Sequence, residues 1–464
     1  MSVPPAKISF AEWETRFESC SGSAPDTDGL VPLSRHLREG DARLPKLQYD
    51  NSVAALRLWN LVLGEEDRLH EARVAGKKIV GTMKDLGTIP LIAYAAPNLV
   101  AFYPDGAWWT PCIMEDSTGL LPVADSLGLG DSFCPVRAMV GAFVTRAHFP
   151  LPDMLVCSVG ATCDDFSAIA QRLEGLGYPI VWWEMPHRRR PLNGEESVEL
   201  AAPHRAPVRL MQYVIKELER IRELLSDLSG YSINDEALMQ SIRKANRIRA
   251  VLRELRELAF TADPCPLPAL EVMLAEMLAI HFCSDPAQSE SILDDLLTTV
   301  KSRAASKQGV LPEGAVRVFW VNPVADLRVL NVLEESGGRL CGTDFMFGHA
   351  IEPIPQDTSP MEALARMALS DPMVGTTADR ALAICQEAER LKAEAVVISR
   401  IPGASHCTYE GRAIRTIVQD RLALPVVEIE VPPVCDSLLP SLRTRLEALI
   451  ETVLEKRDSC LSQA

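Results

Sequence analysis

Twice along the chain, runs of mostly apolar, β-rich residues alternate with amphipathic helical stretches. The first set of runs is KKIVGTM (77–83), NLVAFYP (98–104), DMLVCSV (153–159) and YPIVWWEMP (178–186). The second set is VRVFWVNP (316–323), RLCGTDFMF (339–347), EAVVISR (394–400) and LPVVEIEV (424–431). A strand with one wet face alternates apolar and polar residues, whereas a strand covered on both faces stays apolar throughout. Crossover helices supply that cover, so these runs predict parallel sheets built from βαβ units.

The stretches between them fit. TIPLIAYAAP (88–97), CDDFSAIAQRLEGLG (163–177), ADLRVLNVLEESGG (325–338), TADRALAICQEAERLKA (377–393) and YEGRAIRTIVQDRLA (409–423) read as helices, two of them stopped by glycine. The expected fold class is α/β, with two open parallel-sheet (Rossmann- or flavodoxin-like) domains facing a cleft. Residues 1–76 form a helical N-terminal segment, in which Ser52–Gly76 reads as one amphipathic helix. The first α/β domain then spans 77–204, a connector of long helices 205–313, and the second α/β domain 314–464. Within the connector, 207–230, 234–258 and 267–283 carry the helical period, and a last helix (438–457) closes the chain.

The balance of 47 basic against 63 acidic residues, a formal charge of −16, argues against nucleic acid as a main partner. The run His187-Arg188-Arg189-Arg190 and the Arg-rich stretch Ser241–Leu258 read as solvated charged faces. No segment is long and apolar enough to predict a membrane span. The opening MSVPPAKISFAEWETRF lacks the basic-then-apolar plan of a signal peptide, so cytoplasm is the expected location.

Twelve cysteines in such a chain suit ligation better than a disulfide framework, and none forms a C-x-x-C pair. Several fall at strand–helix junctions, where ligands of open parallel sheets bind. Cys157 ends a predicted strand, and Cys163 opens the helix after it. Cys134 precedes Pro135, a favoured first helical residue. Cys407, in RIPGASHCTYEGR, lies between EAVVISR and the next helix, and Cys341 precedes Gly342-Thr343-Asp344. Backbone N–H groups and the macrodipole at a helix start stabilise a thiolate. Cys20, Cys265, Cys283, Cys385 and Cys460 read as small hydrophobes. Cys112 and Cys435 stay undecided.

With SFCPVRAMVGAF, ATCDDFSAIAQRLEGLGYPIVWWEMP and EAVVISRIPGASHCTYEGRAI in view, the chain resembles the 2-hydroxyacyl-CoA dehydratase and benzoyl-CoA reductase superfamily from about Lys77 onward. The resemblance implies two α/β domains holding an iron–sulfur cluster, with Cys134, Cys163 and Cys407 as shared cubane ligands. The C-x5-C pair of Cys157 and Cys163 looks closest to the double-cubane cluster proteins of that superfamily, which carry an [8Fe–9S] cluster on six cysteines. On that reading Cys157 and Cys341 join the three, with Cys112, or else Cys435, as the sixth. The resemblance further implies electrons from a separate ATP-hydrolysing [4Fe–4S] reductase, and a homodimer. The chain has no G-x-x-x-x-G-K-[ST] loop of its own.

Reduction needs protons, and His349 and His406 are the candidate donors. Glu184, Asp344 and Arg137 could tune a cluster's charge, while Asp164 and Asp165 suit a helix start. The expected function is a low-potential iron–sulfur reductase with a double-cubane cluster acting on small, hard-to-reduce molecules. One alternative is a single [4Fe–4S] dehydratase or reductase subunit acting on an acyl-CoA. The other is a non-enzymatic electron-transfer protein.

Overall fold

The computed structural model describes residues 4–20, 30–37, 44–83, 85–108, 120–161, 163–200, 204–433 and 435–461. Near the N-terminus β1 (Lys7–Ser9) lies antiparallel to β2 (Gln48–Asp50). A first parallel sheet follows, from β3 (Lys78–Met83), β4 (Leu99–Phe102), β5 (Met154–Gly160) and β6 (Ile180–Met185), in the order β4-β3-β5-β6. A small antiparallel pair, β7 (Ser197–Glu199) and β8 (Arg205–Pro207), leads to the long helices. The second parallel sheet comprises β9 (Val316–Val321), β10 (Gly338–Asp344), β11 (Ala395–Arg400) and β12 (Val426–Glu430), in the order β10-β9-β11-β12.

The fold is thus α/β with two open parallel sheets, as the apolar runs imply. Both sheets share one plan: the second strand flanks the first on one side, and the third and fourth lie on the other. The reversal in strand order falls between β3 and β5 and between β9 and β11. Crevices open beyond the carboxyl ends at such points. In the second sheet Ser399, fully buried, braces this point. Its hydroxyl contacts the carbonyl oxygens of Val321, Asn322 and Pro323 at 3.1, 2.8 and 3.0 Å, and receives the Trp320 indole N–H at 3.0 Å.

Between the sheets run the helices Val208–Ser229, Asp235–Thr261, Ala269–Met277 and Pro286–Ala305. The first buries Met211, Val214, Leu218, Ile221 and Leu225, one stripe at a spacing of three or four, and ends on Gly230 in the left-handed conformation. Each such side chain contributes about 1.5–3 kcal/mol on burial; cutting Leu218 to Ala would cost about 2–5 kcal/mol. Ala269–Met277 is buried on every side.

Several local expectations need correction. The stretch Ser52–Gly76 is two helices, Val53–Leu63 and Glu65–Val74, hinged at Gly64, where a Cβ would stand 2.8 Å from the Asn60 carbonyl oxygen. The third connector helix stops at Met277, because Cys283 and Ser284 take positive φ and Asp285 caps a new helix that begins with Pro286. Arg188 is buried, donating to the carbonyls of Leu369 at 2.5 Å and Asp371 at 3.2 Å. Arg249, in the Arg-rich helix, is also buried and donates to the Glu352 carbonyl at 2.9 Å. Neither belongs to a solvated face.

Candidate active site

The turn after β5 carries Cys163 in an extended conformation (φ −154°, ψ 123°), as the cap residue of the helix Asp164–Gly175. Cys134 has the same post before the helical turn Pro135–Arg137. Beyond β11 the chain turns through Gly403 at φ +80° into the helix Ser405–Leu422, so Cys407 lies in its first turn. That helix starts four residues earlier than the sequence suggests. Its own cap position is Ala404, which offers no side-chain oxygen. The missing acceptor comes from the other sheet, where Asp165 Oδ2 accepts the Ser405 N–H at 2.9 Å. The Cys163 thiol donates to the same oxygen at 3.6 Å.

A second contact ties the Cys407 turn to Cys134. A Cβ on Gly403 would lie on the Phe133 carbonyl oxygen and 2.9 Å from the Cys134 nitrogen, so only glycine lets the two loops touch. The turns bearing Cys134, Cys163 and Cys407 therefore meet at the facing carboxyl ends of β5 and β11. Between them lies a cavity of about 190 Å³, lined by both Cys134 and Cys163 and by Pro323, Ile401 and Ala404 from the second sheet's loops. Among the described residues no three Cys, His, Asp or Glu side chains gather as a ready metal site. The side chains of His406 and Cys407 are outside that description, as is all of Cys112.

The remaining candidates sit elsewhere. Cys157 is interior to β5, opposite Met83 of β3 and Trp182 of β6, fully buried, with Sγ 3.3 Å from the Ser158 carbonyl oxygen. Cys341 is mid-strand in β10, at the register shift between Leu340 and Gly342. Burial pushes its thiol up to about 12, against the pull of Arg317 and Arg339, which stand toward the amino end of the sheet. Neither lines the cavity, and neither marks a strand end. Cys435 is buried beyond β12, its thiol donating to Asp326 Oδ2 at 3.1 Å.

His349 lies beside the cavity, two residues from the lining Phe347, within a buried ionic chain. Its Nε2 meets Asp344 Oδ1 at 2.8 Å and its Nδ1 meets Asp371 Oδ1 at 3.3 Å. Burial alone would lower its pKa, but the Asp371 and Asp344 charges outweigh it and raise it to about 9. Asp344 also receives Arg380, whose Nη1 donates to Glu410 Oε2 at 2.6 Å. Glu410 stands in the helix of Cys407, so the chain of charges braces that helix. Arg137, buried beside Cys134, donates to Asp125 at 3.1 Å and the Phe133 carbonyl at 3.0 Å. Glu184 faces outward, bonded to Tyr213.

Three cavity residues carry no signal in the sequence. Asp105 lines the cavity, and its buried Oδ1 has no hydrogen-bond partner among the described residues. Burial pushes it up to about 7, helped by the neighbouring charge of Asp85. His281 is pushed down by burial, and its Nδ1 accepts the Cys283 N–H at 3.0 Å, leaving Nε2–H on a neutral ring. His148, at φ +69°, stands 3.7 Å from Glu66. The site can therefore present thiols, and one carboxyl that keeps its proton to higher pH than usual, to a cavity with apolar walls. Among the described residues, no helix is long and apolar enough to cross a membrane.

No curated protein matches the chain closely enough to count as a relative. The family model described as 2-hydroxyglutaryl-CoA dehydratase, D-component, matches residues 91–453, which takes in both sheets' crevices and all three junction cysteines. The chain belongs to the 2-hydroxyglutaryl-CoA dehydratase D-component family.

Proposed function

We propose that this chain is an iron–sulfur component of a dehydratase or reductase, binding one [4Fe–4S] cluster through Cys134, Cys163 and Cys407. The observation that carries this reading is the meeting of three cysteine-bearing turns at the crevices of two facing sheets, with Gly403 against Phe133 and Ser405 against Asp165. Thiolates are the donors such clusters use, and two of the three residues open onto the same cavity. When bound, the cluster supplies single electrons and an iron open to a ligand. The apolar walls keep water from the reacting end of a substrate, and Asp105, pushed up to about 7 by burial, can take up or give a proton near neutral pH. A separate ATP-hydrolysing [4Fe–4S] reductase is the electron source in this reading, with the component itself a homodimer.

The double-cubane alternative draws on Cys157 and Cys341, and their burial inside strands weighs against it. Iron and acid-labile sulfide counted on anaerobically purified chain separate the two: about four irons per chain fits one cubane, about eight fits two. Cys134→Ala, Cys163→Ala and Cys407→Ala should each lose most of the iron, while Cys157→Ala and Cys341→Ala keep it. Chain without iron in the wild type would sink both readings.

A further inference from the structure

The walls of the cavity constrain what it can hold. Leu63, Leu69, Phe102, Phe149, Leu278 and Phe347 are among the apolar residues that make up most of the lining. The carboxylates and imidazoles that line it are Glu65, Glu66, Asp105, His148 and His281, and among the described residues no Arg or Lys lines it. Arg68, which does not line the cavity, donates from Nη2 to Glu65 at 2.8 Å and to the Leu61 carbonyl, and from Nε to the Cys283 carbonyl at 2.9 Å.

We infer that the cavity beside Cys134 and Cys163 takes a small neutral molecule, or the neutral apolar end of a larger one, and turns away a terminal carboxylate. The inference deepens the function proposed above and rests on it only for which reaction follows binding. A carboxylate entering here would leave water for apolar walls, with no Arg or Lys among the described lining residues to meet it and with acidic side chains nearby. A glutaryl-type chain, which ends in a second carboxylate, is therefore a poor occupant. An isopropyl or aryl end exchanges water for Leu and Phe at a gain. The volume, about 190 Å³, lies below the roughly 300–1,000 Å³ of sites for drug-sized ligands, so one compact group fills it. The unpartnered Asp105 Oδ1 and the Nε2–H of His281 offer hydrogen bonds to a neutral head such as a carbonyl or amide.

The test uses two probes of one shape, isovaleramide and malonamate, which differ by an isopropyl group against a carboxylate. Affinities are measured by calorimetry or saturation-transfer NMR on the full chain at pH 7.5, both iron-loaded and iron-free. Isovaleramide should bind at least tenfold tighter in both forms. Val62→Lys, at a half-buried lining position, should bring malonamate to parity or better. Malonamate binding as tightly as isovaleramide, no binding of either, or indifference to Val62→Lys would overturn the inference. Iron is counted on the same samples. Missing iron with selectivity intact sinks the cluster reading alone, and lost selectivity at full iron sinks this inference alone.

Discussion

Asp165 accepts the backbone N–H of Ser405 at 2.9 Å, across 240 residues of sequence, and so caps a helix that belongs to the other sheet. The carboxylate is buried, and a hydrogen bond to a charged acceptor contributes about 1.5–3 kcal/mol. Asp165→Ala should lose about that much in urea denaturation. Asp165→Asn retains an acceptor and should lose less. Equal stability of all three chains would mean that the bond does not hold the sheets together.

Gly403 makes the neighbouring contact. Gly403→Ala strains a positive φ and drives a methyl into the Phe133 carbonyl, for a cost of about 2–4 kcal/mol. Thermal unfolding should drop accordingly. Iron content should fall with it, because the turns of Cys134 and Cys407 can no longer touch.

His349 gives a pH signature. Its folded pKa of about 9 exceeds the unfolded value, so its contribution is complete below about pH 6.5 and disappears as pH rises through 9. The stability difference between wild type and His349→Gln should be about 2–3 kcal/mol larger at pH 6 than at pH 9.5. A difference that stays constant with pH would mean that His349 is neutral in its carboxylate pair.

Glu271 should lose stability with rising pH as well, but through a lower window. It is fully buried, its Oε1 accepting from Asp50 N–H at 3.0 Å and the Trp59 indole at 3.1 Å, and burial together with the Asp50 charge pushes it up to about 8. An acid whose folded pKa is raised costs stability as pH climbs from about 4.5 to 8, because the unfolded chain ionises first. Glu271→Gln should therefore gain on wild type by about 2–3 kcal/mol between pH 5 and pH 8, read from paired denaturation curves.

The strands were legible because parallel strands buried on both faces write their burial into consecutive residues, as VRVFWV and AVVISR do. Cys134 and Cys163 were legible as helix openers for a similar reason, since Pro135 and the Asp164–Asp165 pair mark local starts. The start of the Cys407 helix was not, because its cap is Asp165, far away in sequence. Cys341 misled because a register shift places it mid-strand where its glycine neighbour suggested an edge. Arg188 looked solvated because its partners are carbonyls of Leu369 and Asp371, which no charge pattern announces. Asp105 and His281 gained their roles from burial alone.

The borrowed cap on the Cys407 helix sets an order of construction. Each sheet can acquire its strands from its own stretch of chain, but the first turn of this helix is finished only when it docks on Asp165 of the first sheet. A nascent chain that has made the first sheet already owns Cys134 and Cys163, and still lacks the third turn and the glycine that seats it. Cofactor insertion before the second sheet closes would thus meet an incomplete socket. The bond that joins the halves is thus also the bond that completes the Cys407 helix.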